Sequence, residues 1–361
     1  MSAVAKSMHV EARNNLPQRY VLEPLTADEQ ATWDSRIAGF DSAHLFHQRA
    51  WLDYLEESQG VHIRYWAIRG DGGTAGYFCA GIFRKGPFRI LGSPLKSWGT
   101  NFLGPVVNAD FNPEAFLHAL DELAAAEGIA TLEIENPILS PALMSSHGYE
   151  VKLDSTYIVE LTPYDEEPAW RRIDKKDRST VRKAQRAGLT VVECSDAAMT
   201  DEYYDQFTEV MTRKGLFPTY DRRRPRLLFQ HLYPKDMLLA VEVLGPEGRP
   251  IASGLFPHDG KTIYYWGGAS RMAGRQHSPN DLMHWYVMEW AIRRGMTAYN
   301  MCGPGRFKQK FGGVLVPTHR WQKYYSPVAR WGRAVYAKYH GVRSRMRGRW
   351  SRLTQEDGEV G

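Results

Sequence analysis

The sequence predicts an α/β protein built from two domains of one type, and three observations support this prediction. The chain has 361 residues, which is enough for two cores of ordinary size. Helix-like and strand-like segments follow the same order in both halves. The halves also close alike, with GIATLEI at 128–134 and GMTAYNM at 295–301. Each half contains antiparallel strands, a crossover helix and a further strand. This order predicts mixed and mostly antiparallel sheets.

The first half opens with a helix-like stretch at 48–57 and continues into short apolar strands. Its clearest helix, 113–127, has apolar residues at helical spacing, and the strand after it stops at Asn136 and Pro137. The predicted strands of this half are 62–69, 76–84, 88–91 and 131–135.

A strand at 156–161 opens the second half and leads into a basic helix, 178–186, which ends before Gly188. The remaining predicted helices are 201–213, 224–232 and 279–294. The remaining predicted strands are 189–193, 237–243, 250–256, 262–267 and 298–301. The predicted organisation is a flexible N-terminus (1–18), a first domain (19–155), a second domain (156–325) and a basic tail (326–361).

Composition excludes several protein classes. The longest stretch without a formal charge, 136–149, has 14 residues, fewer than the roughly 20 that a membrane-spanning helix needs. The N-terminus has no apolar core of a secretory signal, so we expect the protein to stay in the cytoplasm. Three widely spaced cysteines predict reduced thiols, and we expect no metal site.

The tail concentrates positive charge. The net charge of the chain is +5, but 326–353 contains eight Lys and Arg residues and no acid. Six apolar residues from Trp331 to Trp350 fall at steps of three or four, which predicts a basic amphipathic helix. Three interpretations stay open: peripheral contact with an anionic membrane, packing on the protein itself, or RNA binding.

Four segments carry a resemblance to a known family. They are DRSTVRKAQRAGL (177–189), the stretch 267–295 that contains SRMAGRQHSPND, AYNMCG (298–303) and FKQKFGG (307–313). Together they resemble the FemAB-like branch of the GNAT acyltransferases, which includes peptidoglycan bridge-forming aminoacyltransferases and acetyltransferase-like proteins of exopolysaccharide clusters. The resemblance covers 156–325 and implies two tandem GNAT domains of the compact subtype, without a long helical hairpin.

The resemblance implies acyl transfer. An amine on the acceptor would attack an activated acyl carbon, and the enzyme would supply orientation and stabilise the oxyanion. The donor would be an acyl-CoA or an aminoacyl-tRNA, with no permanently bound cofactor. The acceptor would be a cell-envelope glycan or its lipid-linked precursor. Hydrolase and zinc-peptidase motifs are absent from the sequence, in agreement with this reading.

Lys308 is the predicted catalytic residue, because it matches the lysine of the family's closing motif. Its ammonium would hold a phosphate or the developing oxyanion. The alternative is a surface lysine beside a packed Phe and Gly pair. In an extended stretch Lys310 would point to the opposite side.

The donor is predicted to bind at the start of the helix 279–294. In GNAT enzymes an R/Q-x-x-G-x-G/A loop before this helix binds the pyrophosphate of coenzyme A. Arg271, Gly274, His277 and Ser278 occupy that region here, with Ser278 as the predicted N-cap. The last small residue of the motif is missing, which puts coenzyme A in doubt. His277 either contacts the acyl donor or is an ordinary loop residue.

The acceptor is predicted to contact two basic regions and an aromatic strand. Arg182 and Lys183 belong to the basic helix, which either borders a groove for an anionic substrate or is simply solvated. The residues Arg213, Lys214 and Tyr220 fall where bridge-forming relatives grip the phosphates of the acceptor. Tyr265 belongs to an aromatic run, of which one residue is expected to line the acceptor groove.

Three functional hypotheses follow. The first is acyl or aminoacyl transfer to an amine of a cell-envelope glycan or lipid-linked precursor, for peptidoglycan or exopolysaccharide. The second is a coenzyme A dependent N-acetyltransferase acting on a soluble amino compound. The third is an inactive GNAT scaffold in polysaccharide assembly. The basic tail favours the first over the second, and Lys308 argues against the third.

Overall fold

The computed structural model describes residues 19–331. The predicted flexible N-terminus and most of the predicted amphipathic tail, from 332 onwards, lie outside the described residues. Within 19–331, helices and strands alternate as the sequence predicted, and the α/β class is confirmed. No helix of this part of the chain is both long and apolar enough to cross a membrane.

The described part of the first half, from residue 19, contains five α-helices and six strands. The helices are α1 (Ala27–Ala31), α2 (Trp33–Ile37), α3 (Arg49–Gln59), α4 (Pro113–Ala126) and α5 (Pro141–Ser146). The strands are β1 (Val21–Pro24), β2 (His62–Gly70), β3 (Gly73–Lys85), β4 (Phe88–Ser93), β5 (Gly104–Val107) and β6 (Ile129–Ile134). A short 3₁₀ helix, Lys96–Trp98, follows β4. The four predicted strands correspond to β2, β3, β4 and β6.

The second half begins within β7 (Glu150–Glu160). Its helices are α6 (Glu167–Arg172), α7 (Lys175–Arg186), α8 (Met199–Arg213), α9 (Arg223–Leu232), α10 (Pro279–Arg293) and α11 (Arg306–Gln309). Its further strands are β8 (Thr190–Glu193), β9 (Leu238–Leu244), β10 (Pro250–Pro257), β11 (Thr262–Tyr264), β12 (Gly267–Ser270), β13 (Ala298–Asn300) and β14 (Val314–Tyr324).

The strands form two sheets, and the larger one extends across both halves. Ten strands form this sheet in the order β1-β2-β3-β4-β6-β14-β7-β13-β11, with β5 paired to β3. The smaller sheet has the order β12-β10-β9-β8. Only β4 with β6 and β11 with β13 pair in parallel among the described strands, so the expected mixed, mostly antiparallel arrangement is confirmed.

Strand β14 joins the two halves, and no strand was predicted there from the sequence. It pairs with β6 of the first half and with β7 of the second half. Pro317 interrupts its apolar pattern, and its partners lie far away in the chain, so no local signal marks it. The division predicted at 155/156 falls inside β7, whose first residues pair with β14 and were not predicted as a strand.

A break between two strands opens the space for a site. The sequence predicted one strand at 262–267, but β11 pairs with β13 in the large sheet and β12 pairs with β10 in the small one. Tyr265 and Trp266 lie at the break. Gly267 follows it, and a Cβ atom there would lie 2.2 Å from the Tyr203 hydroxyl, so this position requires glycine.

An apolar core lies between the halves. Trp51 and Leu55 of α3 belong to the same buried cluster as Leu228 of α9 and Tyr203 of α8. Each half has a further core of its own. Because burial of large side chains at the boundary is favourable, this shared core holds the two halves together beside the break between β11 and β12.

Candidate active site

A cavity of about 510 Å³ lies at the break between β11 and β12 and is lined by both halves. The first half contributes Phe46, Trp51, Lys96, Ser97, Gly99 and Asn101. The second half contributes Tyr203, Phe207, Thr219, Tyr220, Arg224, Pro257, Tyr264, Tyr265, Trp266, Gly267, Gly268, Cys302 and Lys308. We call this space the cleft. Its walls combine aromatic rings with a few polar groups, which is typical of ligand sites.

The charges of the cleft have one sign. Lys96, Arg224 and Lys308 line it, and no Asp or Glu among the described residues does. Among residues 19–331, no carboxylate lies within ion-pair distance of these three side chains. Positive groups without a carboxylate partner attract an anionic ligand, and phosphates above all.

Arg224 is fixed from several sides. Its guanidinium donates to the carbonyl of Trp98 (2.6 Å) and to the Tyr54 hydroxyl (3.1 Å), both from the first half. It also lies 5.4 Å from the centre of the Tyr220 ring. All of these partners are neutral, so the guanidinium is oriented without a counter-ion from residues 19–331.

Lys308 lies at the other wall of the cleft. Its Nζ donates to the Cys302 carbonyl at 2.9 Å and lies 5.4 Å from the centre of the Tyr265 ring. Burial lowers the pKa of the Lys308 ammonium from its usual value. A half-buried ammonium with one neutral acceptor has further N–H groups to offer to a ligand.

The extended stretch predicted around Lys308 is wrong, because 306–309 is the short helix α11. Lys310 follows it and forms an ion pair with Asp281, whose side chain is 8% exposed. Asp177 lies 4.0 Å from the same ammonium. Lys310 therefore anchors the segment to α10 and α7.

A buried network holds the turn beneath Lys308. The Asn300 side-chain oxygen accepts from the Thr156 hydroxyl (2.7 Å) and from the Cys302 amide (2.9 Å). The Thr156 hydroxyl in turn accepts from the Gly303 amide at 3.0 Å. This network fixes the Cys302 carbonyl that holds Lys308. Burial raises the pKa of the Cys302 thiol to about 12, so it stays protonated and is not a nucleophile.

Two tyrosines predicted to bind the acceptor also line the cleft. The Tyr220 hydroxyl lies 2.7 Å from the Tyr203 hydroxyl, and the Tyr220 ring stacks on Phe207. Burial raises the pKa of Tyr265 to about 12, so its hydroxyl is neutral. These rings form an aromatic surface between the cationic groups, and their roles stay predictions.

The other predicted acceptor residues do not line the cleft. Arg182 and Lys183 are exposed on α7, where Arg182 lies 5.3 Å from the centre of the Trp170 ring. Arg213 ends α8 and contacts the sulfur of Met272 at 3.8 Å, and Lys214 beside it is exposed. These four side chains lie on the outer helices, so the solvated alternative describes them better.

The predicted donor loop is occupied by interactions within the protein. Arg271 forms ion pairs with Glu202 (2.8 Å) and Glu209 (3.4 Å), which neutralise its charge. A Cβ atom at Gly274 would lie 2.8 Å from Ile251, so this glycine serves close packing. An arginine held by two carboxylates is a poor phosphate ligand, so these ion pairs argue against the donor role of Arg271, which stays a prediction.

The entrance of α10 also differs from the prediction. Ser278 precedes Pro279 as predicted, but it has a φ of 55° and its side chain makes no capping hydrogen bond. The amides of Gly274, Arg275, His277 and Ser278 all donate to carbonyls within the loop. The His277 ring nitrogen contacts the Gln276 side chain at 3.1 Å. Amides used in this way are not free to bind a pyrophosphate.

The sequence reading missed Arg224 and Lys96. Arg224 lies in a run of three arginines, of which Arg222 and Arg223 form ion pairs with carboxylates. Only the folded chain shows which of the three faces the cleft. Lys96 follows a strand in the first half, for which the sequence offered no site motif.

Comparison with known proteins identifies the type of domain. Residues 171–309 match the family model of the acetyltransferase (GNAT) domain. The chain contains a GNAT domain. The match confirms the predicted GNAT acyltransferase domain, and the predicted FemAB-like branch agrees with the fold of the solved structures below. The GNAT match lies within the second half, and the division into two tandem domains stays a prediction.

Solved structures show the same fold over most of the chain. FemX aligns with a TM-score of 0.66 at 17% identity, covering 82% of this chain and 96% of FemX. L-PGS from Bacillus licheniformis aligns at 0.52 and 15% identity, covering 85% and 95%. A tandem GNAT protein from the clavulanic acid biosynthesis pathway aligns at 0.51 and 12% identity, covering 86% and 99%. No curated protein matches the sequence significantly.

Proposed function

We propose that this GNAT acyltransferase transfers an acyl or aminoacyl group to an amine of a phosphate-bearing cell-envelope precursor. The observation that carries the proposal is the cleft: it is lined by aromatic rings and by three cations that have no carboxylate partner in the described part of the chain. A cell-envelope role is supported by the fold shared with FemX and L-PGS. The precursor belongs to peptidoglycan or exopolysaccharide synthesis, and the enzyme acts from the cytoplasm.

The cleft suits a glycan or nucleotide linked through phosphates. Arg224 uses Nε and Nη2 to hold its position, and Nη1, which has no partner among residues 19–331, can donate to a phosphate oxygen. Lys96 adds an exposed charge at the rim. Tyr220 and Tyr265 line the cleft with aromatic edges and hydroxyls that a sugar or base can contact. The volume of about 510 Å³ holds part of such a precursor, with the rest extending into solvent.

Lys308 would act on the reacting centre. The acceptor nitrogen attacks the carbonyl carbon of the activated acyl group, and negative charge develops on the carbonyl oxygen. The Lys308 ammonium would stabilise that oxygen in a site partly shielded from water. The bond to the leaving oxygen or sulfur then breaks, the new amide forms, and the proton of the amine passes to the leaving group. None of the residues that line the cleft supplies a carboxylate base for this proton.

Aminoacyl-tRNA is the donor that the loop before α10 favours. Arg271 is neutralised there, and four amides are bonded within the loop. The match to an acetyltransferase domain favours acyl-CoA, so this donor is the second candidate, acting on a soluble amino compound. Acetyl-CoA at 100 times its dissociation constant would stabilise the fold by about 2.7 kcal/mol, readily seen in a melting curve. We expect no shift; a clear shift would make acyl-CoA the donor.

We also propose peripheral contact of 326–353 with anionic membranes. Of this segment the structure describes the first residues, where Trp331 is 72% exposed and Arg330 forms an ion pair with Glu150 (2.7 Å). Co-sedimentation with anionic vesicles should weaken with salt and disappear on truncation after Tyr325. Equal sedimentation of both forms would contradict the membrane proposal.

An assay of acyl transfer tests the proposed function. Purified protein is incubated with aminoacyl-tRNA or acetyl-CoA and with either a phosphate-linked peptidoglycan precursor or the same acceptor without its phosphates. The proposal predicts product with the phosphate-bearing acceptor and a large loss without the phosphates. No product with any donor would favour the scaffold hypothesis, and equal use of both acceptors would contradict the role of the cleft cations.

A further inference from the structure

Three metal-ligating side chains meet on the surface of the first half, away from the cleft. Glu114 and His118 lie one turn apart on α4, and His147 ends α5. One ligand atom of each side chain lies within 4.8 Å of the other two. The two imidazole rings have centres 5.0 Å apart at an angle of 67°.

The two helices that carry these ligands are held firmly. The Asn112 side chain accepts from the amides of Glu114 and Ala115 and so caps α4. Phe116 of α4 and Met144 of α5 are fully buried in the same apolar cluster. The spacing between the ligands is therefore set by a packed core and not by a loop.

The three side chains have no competing partners. Among residues 19–331, no hydrogen bond or ion pair engages the Glu114 carboxylate or the imidazoles of His118 and His147. Other surface histidines differ: His62 lies 3.2 Å from Glu56, and His231 lies 2.9 Å from Glu57. The three ligand atoms therefore lie close together with no competing partner among the described residues.

We propose that Glu114, His118 and His147 bind one Zn²⁺ ion. Two imidazoles and a carboxylate are a donor set that zinc accepts in tetrahedral geometry, with a fourth position for water. Bonds of about 2.1 Å place such ligand atoms roughly 3.4 Å apart, so rotation of the two exposed side chains closes the site. None of the three residues lines the cleft, so the ion would tie α4 to α5 and take no part in transfer.

The site should depend on all three ligands. Glu114 lies in the first turn of α4, where the partial positive charge of the helix opposes a cation. When one imidazole is removed, only two ligands remain to offset the repulsion between the cation and the helix N-terminus, so zinc binding should disappear. The sequence reading expected no metal site because His118 and His147 lie on separate helices and no local motif joins them.

Calorimetric titration of the tag-free full chain with zinc chloride tests the proposal. We expect one ion per chain, reversal by EDTA, and no comparable heat with magnesium chloride, since imidazole ligands disfavour magnesium. His118→Ala and His147→Ala should abolish binding, and Glu114→Gln should weaken it. His62→Ala and His231→Ala are matched controls that each remove a histidine beside a single glutamate and should bind as the wild type does.

The proposal is independent of the proposed function, because both control and test variants leave the cleft intact. The imidazoles of His118 and His147 are exposed or half-buried and have no ion-pair partner among residues 19–331, so melting without zinc should be unchanged in these two variants. Zinc should raise the melting temperature of the wild type and of the two controls only. Binding that persists in His118→Ala and His147→Ala, or that saturates only at millimolar zinc, would overturn the proposal.

Discussion

The cleft and the loop before α10 both present basic residues, and they differ in what surrounds those residues. In the cleft, Arg224 contacts a hydroxyl and two carbonyls, and Lys308 contacts one carbonyl. In the loop, Arg271 contacts two carboxylates. A cation with neutral partners keeps its attraction for an anion, whereas a cation with carboxylate partners has lost it. The partners, and not the presence of basic residues, decide where a phosphate can bind.

Replacement of Lys308 should have the largest effect. Lys308→Met removes the charge expected at the oxyanion, which is worth about 2.7 to 4 kcal/mol, or on the order of a hundred- to a thousandfold in single-turnover rate. Melting should change little, because the ammonium has no ion-pair partner among residues 19–331. Lys214→Met is the control, since this exposed lysine lies outside the cleft. Equal losses in both variants would refute the catalytic role of Lys308.

Replacement of Arg224 should act on binding. A hydrogen-bonded charge pair with a phosphate is worth about 1.5 to 3 kcal/mol, so Arg224→Met should raise the KM for the acceptor roughly ten- to a hundredfold. Arg224→Lys should recover part of the loss, because it keeps the charge without the planar fork. Steady-state kinetics on both variants measure this. An unchanged KM in a variant that melts normally would place the acceptor phosphates elsewhere.

Replacement of Lys96 should have a smaller effect that depends on salt. The side chain is exposed at the rim, where one charge contributes about 0.2 to 1 kcal/mol. Lys96→Met should therefore raise the KM for the acceptor only a few fold, and the difference from the wild type should shrink at high ionic strength. Kinetics at two salt concentrations test this. A salt-independent difference would mean that Lys96 contributes through packing.

Replacement of Arg271 should affect stability and spare acceptor binding. Arg271→Met leaves Glu202 and Glu209 without their partner, which should destabilise the fold by on the order of 1 kcal/mol. A thermal melt and acceptor kinetics, measured on one preparation, separate the two effects. A KM that rises as much as in Arg224→Met, with unchanged melting, would restore the phosphate role that the structure argues against.

The elements with strong local signals could be predicted from the sequence. Proline and apolar periodicity located α4 and α10 to within one residue at each end. Strand β14 and the start of β7 could not be found, because their strand character depends on pairing with each other. The repeated order of elements suggested a separate sheet in each half, whereas the large sheet contains strands of both halves.

The residues of the cleft could be predicted only where they belong to a local sequence motif. Lys308, Tyr220 and Tyr265 lie in motifs of the second half and do line the cleft. Lys96 comes from the other half, and Arg224 differs from its neighbours only in its contacts, so neither could be recognised in a linear sequence. Arg271 matched a motif, but Glu202 and Glu209, which neutralise it, lie on a distant helix.

The most direct test of the cleft assignment is equilibrium binding of one phosphate-linked peptidoglycan precursor to the wild type, Arg224→Met and Arg271→Met. Isothermal titration without a donor separates binding from catalysis. The account predicts a roughly ten- to a hundredfold weaker affinity for Arg224→Met and an affinity within about twofold of the wild type for Arg271→Met. Weaker binding by Arg271→Met together with normal binding by Arg224→Met would contradict it.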